Sequence, residues 1–211
     1  MDIKARINTI RATLPGHVTL VAVTKTLGDD TLQAALDAGL RVFGENRVQE
    51  AKDHWDHRRA AYPDLELHLI GHLQTNKAAM AVALFDVIET VDRARLVDAL
   101  AAEMDKQNRR PACYIQVNTG LEPQKGGVAP DDLDALYHYG TAKGLRITGL
   151  MCIPPAGDDP APHFTGLAAH ARRLALPHIS MGMSGDYETA IACGATHIRL
   201  GSALFGARQG V

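Results

Sequence analysis

The chain has 211 residues, with 22 Lys+Arg against 24 Asp+Glu and a formal charge of −2. At 46% hydrophobic and 22% charged residues it reads as a globular chain, since a disordered tail would lack the apolar surface to offset chain entropy. The near-neutral balance gives no electrostatic footprint for nucleic acid. No run reaches the ~20 apolar residues of a membrane helix: the longest, Ala78 to Phe85, is closed by Lys77 and Asp86.

Residues 2–14 place Ile3, Ile7, Ile10 and Leu14 at helical spacing before a Pro15-Gly16 stop. They carry no apolar signal core, so export is not expected. VTLVAV (18–23) follows, short and β-branched, as a parallel strand buried on both faces would be. A helix at about 30–38 ends at Gly39 and leads to strand RVF (41–43). The cycle repeats with helix 45–60, strand LELHLI (65–70), helix 75–84, strand DVIETV (86–91), helix 93–107 and strand ACYIQV (112–117). Then come helix 130–142, strand RITGLM (146–151), helix 162–174, strand HIS (178–180), helix 185–193, strand THIRL (196–200) and a short helix from Ser202.

Eight strands, each followed by a helix, after one extra N-terminal helix, imply parallel pairing with right-handed crossovers. The expected fold is therefore α/β, a (β/α)8 barrel of the TIM type in one domain over 1–211. An open doubly wound sheet is the rival, but it would usually carry a Gly-rich fingerprint after the first strand, and VAVTKTLGDD has none. The Pro-rich stretch 153–162 reads as a loop. The three cysteines, Cys113, Cys152 and Cys193, have no CxxC spacing and read as buried thiols of a reducing, cytoplasmic compartment.

Functional groups of a barrel gather at the C-terminal ends of its strands. Lys25 ends the apolar strand VAVT there, where partial desolvation would leave its amine able to attack a carbonyl; the position alone also fits a strand-end lysine reaching solvent. ISMGMSGDYETAI (179–191) and IRLGSALFGAR (198–208) each pass from strand through a Gly/Ser turn into a helix, with Ser184 as an extra donor. Such loops after strands seven and eight are where barrels often hold phosphate, although each alone is also ordinary turn chemistry. Arg199 lies inward by alternation and needs a carboxylate or a ligand as acceptor. Together the three features fit a phosphorylated aldehyde such as pyridoxal 5′-phosphate. His54 and His57, three apart on a helix, lack a third ligand and read as a surface pair, so no metal is expected. The arginine pairs 58–59, 109–110 and 172–173 fall near helix C-termini, where they complement the helix dipole.

The set VAVTKT (21–26), FGENRVQE (43–50), HLIGHLQTNK (68–77), QVNTG…KGG (116–127), GLMCIP (149–154), SMGMSGDYETAI (180–191) and IRLGSALFGAR (198–208) closely resembles the pyridoxal phosphate homeostasis proteins, which are similar to the N-terminal barrel of alanine racemases. The resemblance spans residues 18–208. It implies pyridoxal phosphate held as an aldimine on Lys25, phosphate contacts from Ser184 and the Gly201-Ser202 turn, Arg199 facing the pyridine nitrogen, Met183 among the cofactor-binding residues, and Asn46 and His68 lining the cofactor pocket. It departs from many relatives in a short stretch between GLMCIPP and SMGMS and in His72. The family implies a cofactor carrier in vitamin B6 and amino-acid homeostasis, without an established catalytic reaction. A monomer is expected, with apo pyridoxal-phosphate enzymes as partners and neither nucleic acid nor membrane. The alternative is a pyridoxal-phosphate racemase or Schiff-base lyase, though racemisation needs a second proton-transfer group that alanine racemases take from a further domain and a partner subunit. A third reading, an aldolase using Lys25, wants an acid/base pair that the sequence does not display.

Overall fold

The structure is a computed structural model that describes residues 2–206; the final Ala207 and Arg208 of the IRLGSALFGAR run lie outside them. Helix α1 (Ile3–Thr13) precedes eight strands: β1 (Thr19–Val23), β2 (Val42–Glu45), β3 (Glu66–Leu69), β4 (Val87–Val91), β5 (Ala112–Gln116), β6 (Arg146–Met151), β7 (His178–Ser180) and β8 (His197–Leu200). They pair in parallel, in chain order, and β8 closes on β1 with Thr19 opposite His197 and Ala22 opposite Leu200. The expected (β/α)8 barrel is what forms, and the open sheet is excluded. Between the strands run α2 (Asp29–Asp37), α3 (Val48–Trp55), α4 (Ala78–Leu84), α5 (Ala94–Gln107), α6 (Leu133–Ala142), α7 (Pro160–Arg173) and α8 (Tyr187–Ala192), and α9 (Ser202–Phe205) follows β8. No helix among the described residues is long and apolar enough to cross a membrane.

Most of the core lies between the outer faces of the strands and the helices. Leu20, Phe43, Leu67, Ile88, Ile115, Leu150 and Ile198 point outward into it, and Trp55 of α3 packs on Phe43 with ring centroids 4.4 Å apart. The barrel interior holds a smaller apolar set, Val87, Ala112, Tyr114 and Met151. The interior also carries polar side chains, with Glu89, His68, Ser180 and Arg199 all buried. At the foot of the barrel Asp86 is the acceptor for both Arg59 and Arg109, whose guanidinium groups also reach the carbonyls that end α4. These arginines thus complement a neighbouring helix as well as a carboxylate.

Two boundaries differ from the sequence expectation for physical reasons. The second strand runs through Glu45, not to Phe43, because Gly44 lets the chain pass Val21 and Ile70: a Cβ there would lie 2.9 Å from Val21 Cγ1 and 3.0 Å from Ile70 Cδ1. The helix expected over 45–60 is accordingly only Val48–Trp55.

Candidate functional site

The chain leaves β1 at Thr24, whose N–H donates to the Gly44 carbonyl (3.1 Å) and whose hydroxyl donates to Glu45 Oε1 (2.7 Å). Lys25 follows, half-buried at the mouth. Next comes Thr26 at φ 63°, a left-handed conformation that a β-branched residue rarely adopts. Its N–H donates to the Glu50 carboxylate of α3. The residues on both sides of Lys25 are therefore pinned to glutamates of the FGENRVQE run. Glu45 Oε1 also accepts from Trp55 Nε1 (2.9 Å) and lies 2.8 Å from His54 Nδ1, while Glu45 Oε2 is buried without a partner among the described residues.

Across the mouth, the loop after β7 turns at Gly182 (φ 90°), where a Cβ would sit 2.5 Å from that of Ala190. Asp186 closes this loop by accepting the Met183 N–H at 2.6 Å. The next loop is tied to it, since the Ala203 N–H donates to the Ser184 hydroxyl (3.2 Å). Ser184 keeps its own proton to donate elsewhere. Among the described residues nothing accepts from the backbone N–H groups of Ser184, Gly185 or Ser202. Arg199 forms the floor, with Nη1 donating to Ser180 Oγ (2.7 Å) and Nη2 to the Cys152 carbonyl (2.9 Å).

These parts enclose one cleft of about 300 Å³, which Lys25, Met183, Ser184, Arg199, Gly201 and Ser202 all line. Asn46 lines a second cleft of about 580 Å³ that meets the first at Lys25 and Thr26. Gly71 presses on Asn46 from behind, where a Cβ would lie 2.1 Å from its carbonyl oxygen.

His68 departs from the expectation. It does not line the cleft but is fully buried in the barrel, with Nδ1 2.6 Å from Glu89 Oε1 and Nε2 2.9 Å from Glu66 Oε1. The reason is alternation: in LELHLI the leucines take the outer face, which turns Glu66 and His68 inward below the mouth. Burial disfavours its charged form, but the bonds to Glu66 and Glu89 outweigh that and raise its pKa to about 9. His54 is not a surface partner of His57 but part of the Glu45 brace, and His72 is exposed, with Nδ1 3.8 Å from Asp92. Thr26, Glu45, Glu50 and Glu89 are residues around the site that the sequence reading does not single out. The signal for Glu89 is present in DVIETV, where alternation puts it on the face of Val87, opposite Ile88.

Comparison with known proteins settles the family. Residues 2–209 match the family described as alanine racemase, N-terminal domain. The pyridoxal phosphate homeostasis protein of Aquifex aeolicus (strain VF5) is 38% identical, with 90% of this chain and 87% of that protein covered. The protein of the same name from Escherichia coli (strain K12) is 37% identical, covering 92% and 88%. The chain belongs to the pyridoxal phosphate homeostasis protein family. A solved structure, PipY of Synechococcus elongatus PCC7942 with PLP bound, is 39% identical with a TM-score of 0.86, covering 97% of this chain and 100% of that one. The alanine racemase of Clostridium difficile 630, at 10% identity and a TM-score of 0.78, shares the fold. This chain covers 57% of that enzyme.

Proposed function

We propose that the chain holds pyridoxal 5′-phosphate covalently through Lys25 and serves vitamin B6 homeostasis in the cytoplasm as a cofactor carrier, a monomer that yields its cofactor to apo pyridoxal-phosphate enzymes. The observation that carries this reading is the shared cleft: Lys25, Ser184, Ser202 and Arg199 converge on one space of about 300 Å³, at the lower end of the usual volume for small-molecule sites. The donor set fits the group. Two hydroxyls and the N–H groups of Ser184, Gly185 and Ser202 suit a phosphate, Lys25 suits an aldehyde, and Arg199 suits a ring acceptor. Bound there, pyridoxal phosphate supplies an electrophilic carbonyl carbon and an electron-withdrawing ring.

The chain's own residues then divide the work. Lys25 offers its amine at a strand end braced by Glu45 and Glu50. The two Ser loops, joined by the Ala203–Ser184 bond, hold the phosphate. Arg199 donates a hydrogen bond toward the ring nitrogen but keeps its proton, because a guanidinium is not deprotonated in proteins. An unprotonated ring is a weak electron sink, and we read the site as one of slow or absent amino-acid turnover, in keeping with relatives named for homeostasis.

Borohydride reduction of the loaded protein followed by peptide mapping tests the attachment. The label is expected on the peptide containing Lys25, and a label on Lys77 or Lys125 instead would refute it. Delivery is tested by mixing loaded protein with an apo pyridoxal-phosphate enzyme. Recovery of activity faster than release into a scavenger supports direct transfer, and recovery never above that rate leaves a passive store.

A further inference from the structure

Barrel interiors are ordinarily filled by layers of branched apolar side chains. Here four ionisable side chains stand in single file along the inside of the sheet. Arg199 Nη1 donates to Ser180 Oγ (2.7 Å), and Ser180 Oγ donates to Glu89 Oε2 (2.5 Å). Glu89 Oε1 meets His68 Nδ1 (2.6 Å), and His68 Nε2 meets Glu66 Oε1 (2.9 Å). Glu89 Oε2 is also 3.9 Å from Arg199 Nη1 directly. The middle of this file is wholly inaccessible: Glu89, His68 and Ser180 are 0% exposed and Arg199 is 3% exposed. Glu66, half-exposed, ends it in a cleft of about 480 Å³ at the opposite face of the barrel.

We propose that Glu89 is the positioning residue of the site: through Ser180 it holds Arg199 at the floor of the Lys25 cleft and supplies the charge against which that guanidinium is set, with His68 as its fixed partner behind. The inference rests on the pyridoxal-phosphate reading above. A buried ion file is a poor device for stability, because apolar side chains of similar volume would do as well. This one terminates on the arginine that lines the cleft. Each oxygen of Glu89 has a separate task, one toward Ser180 and Arg199, the other toward His68, so the carboxylate cannot turn without breaking one of them. His68 faces carboxylates at both nitrogens and must donate at both, which makes it a cation.

Other polar groups border the His68 end, namely Tyr114 of β5, His178 of β7 and His197 of β8. Burial lowers the pKa of His197 to about 4 and lowers that of His178, so neither adds a charge near neutrality. No second carboxylate is in contact with Arg199 among the described residues. Glu89 alone therefore balances it.

The test compares wild type, Glu89→Gln and Ser180→Ala, each loaded with pyridoxal phosphate and mapped after borohydride reduction. The absorbance of the Lys25-linked chromophore is titrated with pH on separate, unreduced samples of the same proteins. Removing a negative charge disfavours the protonated chromophore, so Glu89→Gln should keep the label on Lys25 while the midpoint falls by about one unit, tenfold in the ratio of the two forms. Ser180→Ala should move it in the same direction by less. A residue of purely structural role would shift thermal unfolding and leave the midpoint in place, so a folded, labelled Glu89→Gln with the wild-type midpoint overturns the proposal. Should Glu89→Gln fail to fold, Ser180→Ala decides in the same way. A wild type that carries no label on Lys25 sinks the underlying reading, visibly and before any variant is compared. In cofactor-free wild type, nitrogen NMR should show both ring nitrogens of His68 protonated at pH 7. A neutral His68 would overturn the file regardless of the cofactor.

Discussion

Replacing Glu50 by Ala isolates what the brace beside Lys25 contributes. Thr26 sits at φ 63° with its N–H on the Glu50 carboxylate. Left-handed backbone costs a non-glycine residue roughly 1–2 kcal/mol. A hydrogen bond to a charged group is worth ~1.5–3 kcal/mol when buried, and nearer 1 kcal/mol here because Thr26 is exposed. In Glu50→Ala the bond is lost, Thr26 relaxes, and the released strain offsets the loss. Global stability should then change by less than about 1 kcal/mol. The cost falls instead on Lys25, whose backbone is no longer held in the loading geometry. A conformational penalty of about 1.4 kcal/mol is tenfold in apparent affinity, so pyridoxal phosphate should load about tenfold more weakly. Adding Thr26→Gly restores a residue that adopts positive φ without steric cost, and loading should return to within roughly threefold of wild type. Urea unfolding reads the first quantity and chromophore titration the second. Unchanged loading in Glu50→Ala, or no recovery in the double variant, would refute the brace.

Three further outcomes follow from the packing. Gly149→Ala would place a Cβ 2.7 Å from the His178 carbonyl oxygen and 2.8 Å from Tyr114 Cδ1, so the urea midpoint should fall by the equivalent of ~2–3 kcal/mol. Trp55→Phe keeps the packing on Phe43 but removes a donor from the buried Glu45 carboxylate, and should cost ~1–3 kcal/mol in the same assay. Because the His68 pKa is raised from 6.5 to about 9 on folding, its stabilisation is complete below pH 6.5 and is lost as pH rises through 9; urea stability should drop by a few kcal/mol across that interval, and a flat profile would contradict a charged His68.

Much of this molecule was legible because strand ends and turns leave local marks. All eight expected strands form, and Lys25, Ser184, Arg199, Gly201 and Ser202 meet in one cleft because each lies on or just beyond the end of a strand in a closed barrel. What was hidden depended on partners far away in the chain. Glu45 reads as the start of a helix, yet Gly44 before it clears Val21 and Ile70 and carries the strand past Phe43 to Glu45. The brace on Lys25 then disappears from view, although Glu45 and Glu50 are only five apart. Resemblance puts His68 in the lining of the cofactor pocket, while the alternation of its own strand sets it on the same inner face as Glu66.

That alternation carries more information than any single residue in it. LELHL, VIETV and HIRL each interleave apolar with ionisable side chains, whereas a parallel strand covered by helices on both sides is apolar throughout. In an open doubly wound sheet the inner row of Glu66, His68, Glu89 and Arg199 would be buried beneath helices, each strand's charges separated from those of strands far along the sheet. Closing the sheet brings opposite walls together, and Ser180 of β7 can then donate to Glu89 of β4, 91 positions away. The charges also balance along the axis: two carboxylates, one guanidinium and one imidazolium, alternating in sign from the cleft to the opposite face. Desolvating any one of them alone would be prohibitive, but in alternating order each is neighbour to its opposite. Three half-polar strands in an otherwise parallel α/β chain are thus a signature of closure. The same residues that exclude the open sheet are those that fix Arg199 beneath Lys25.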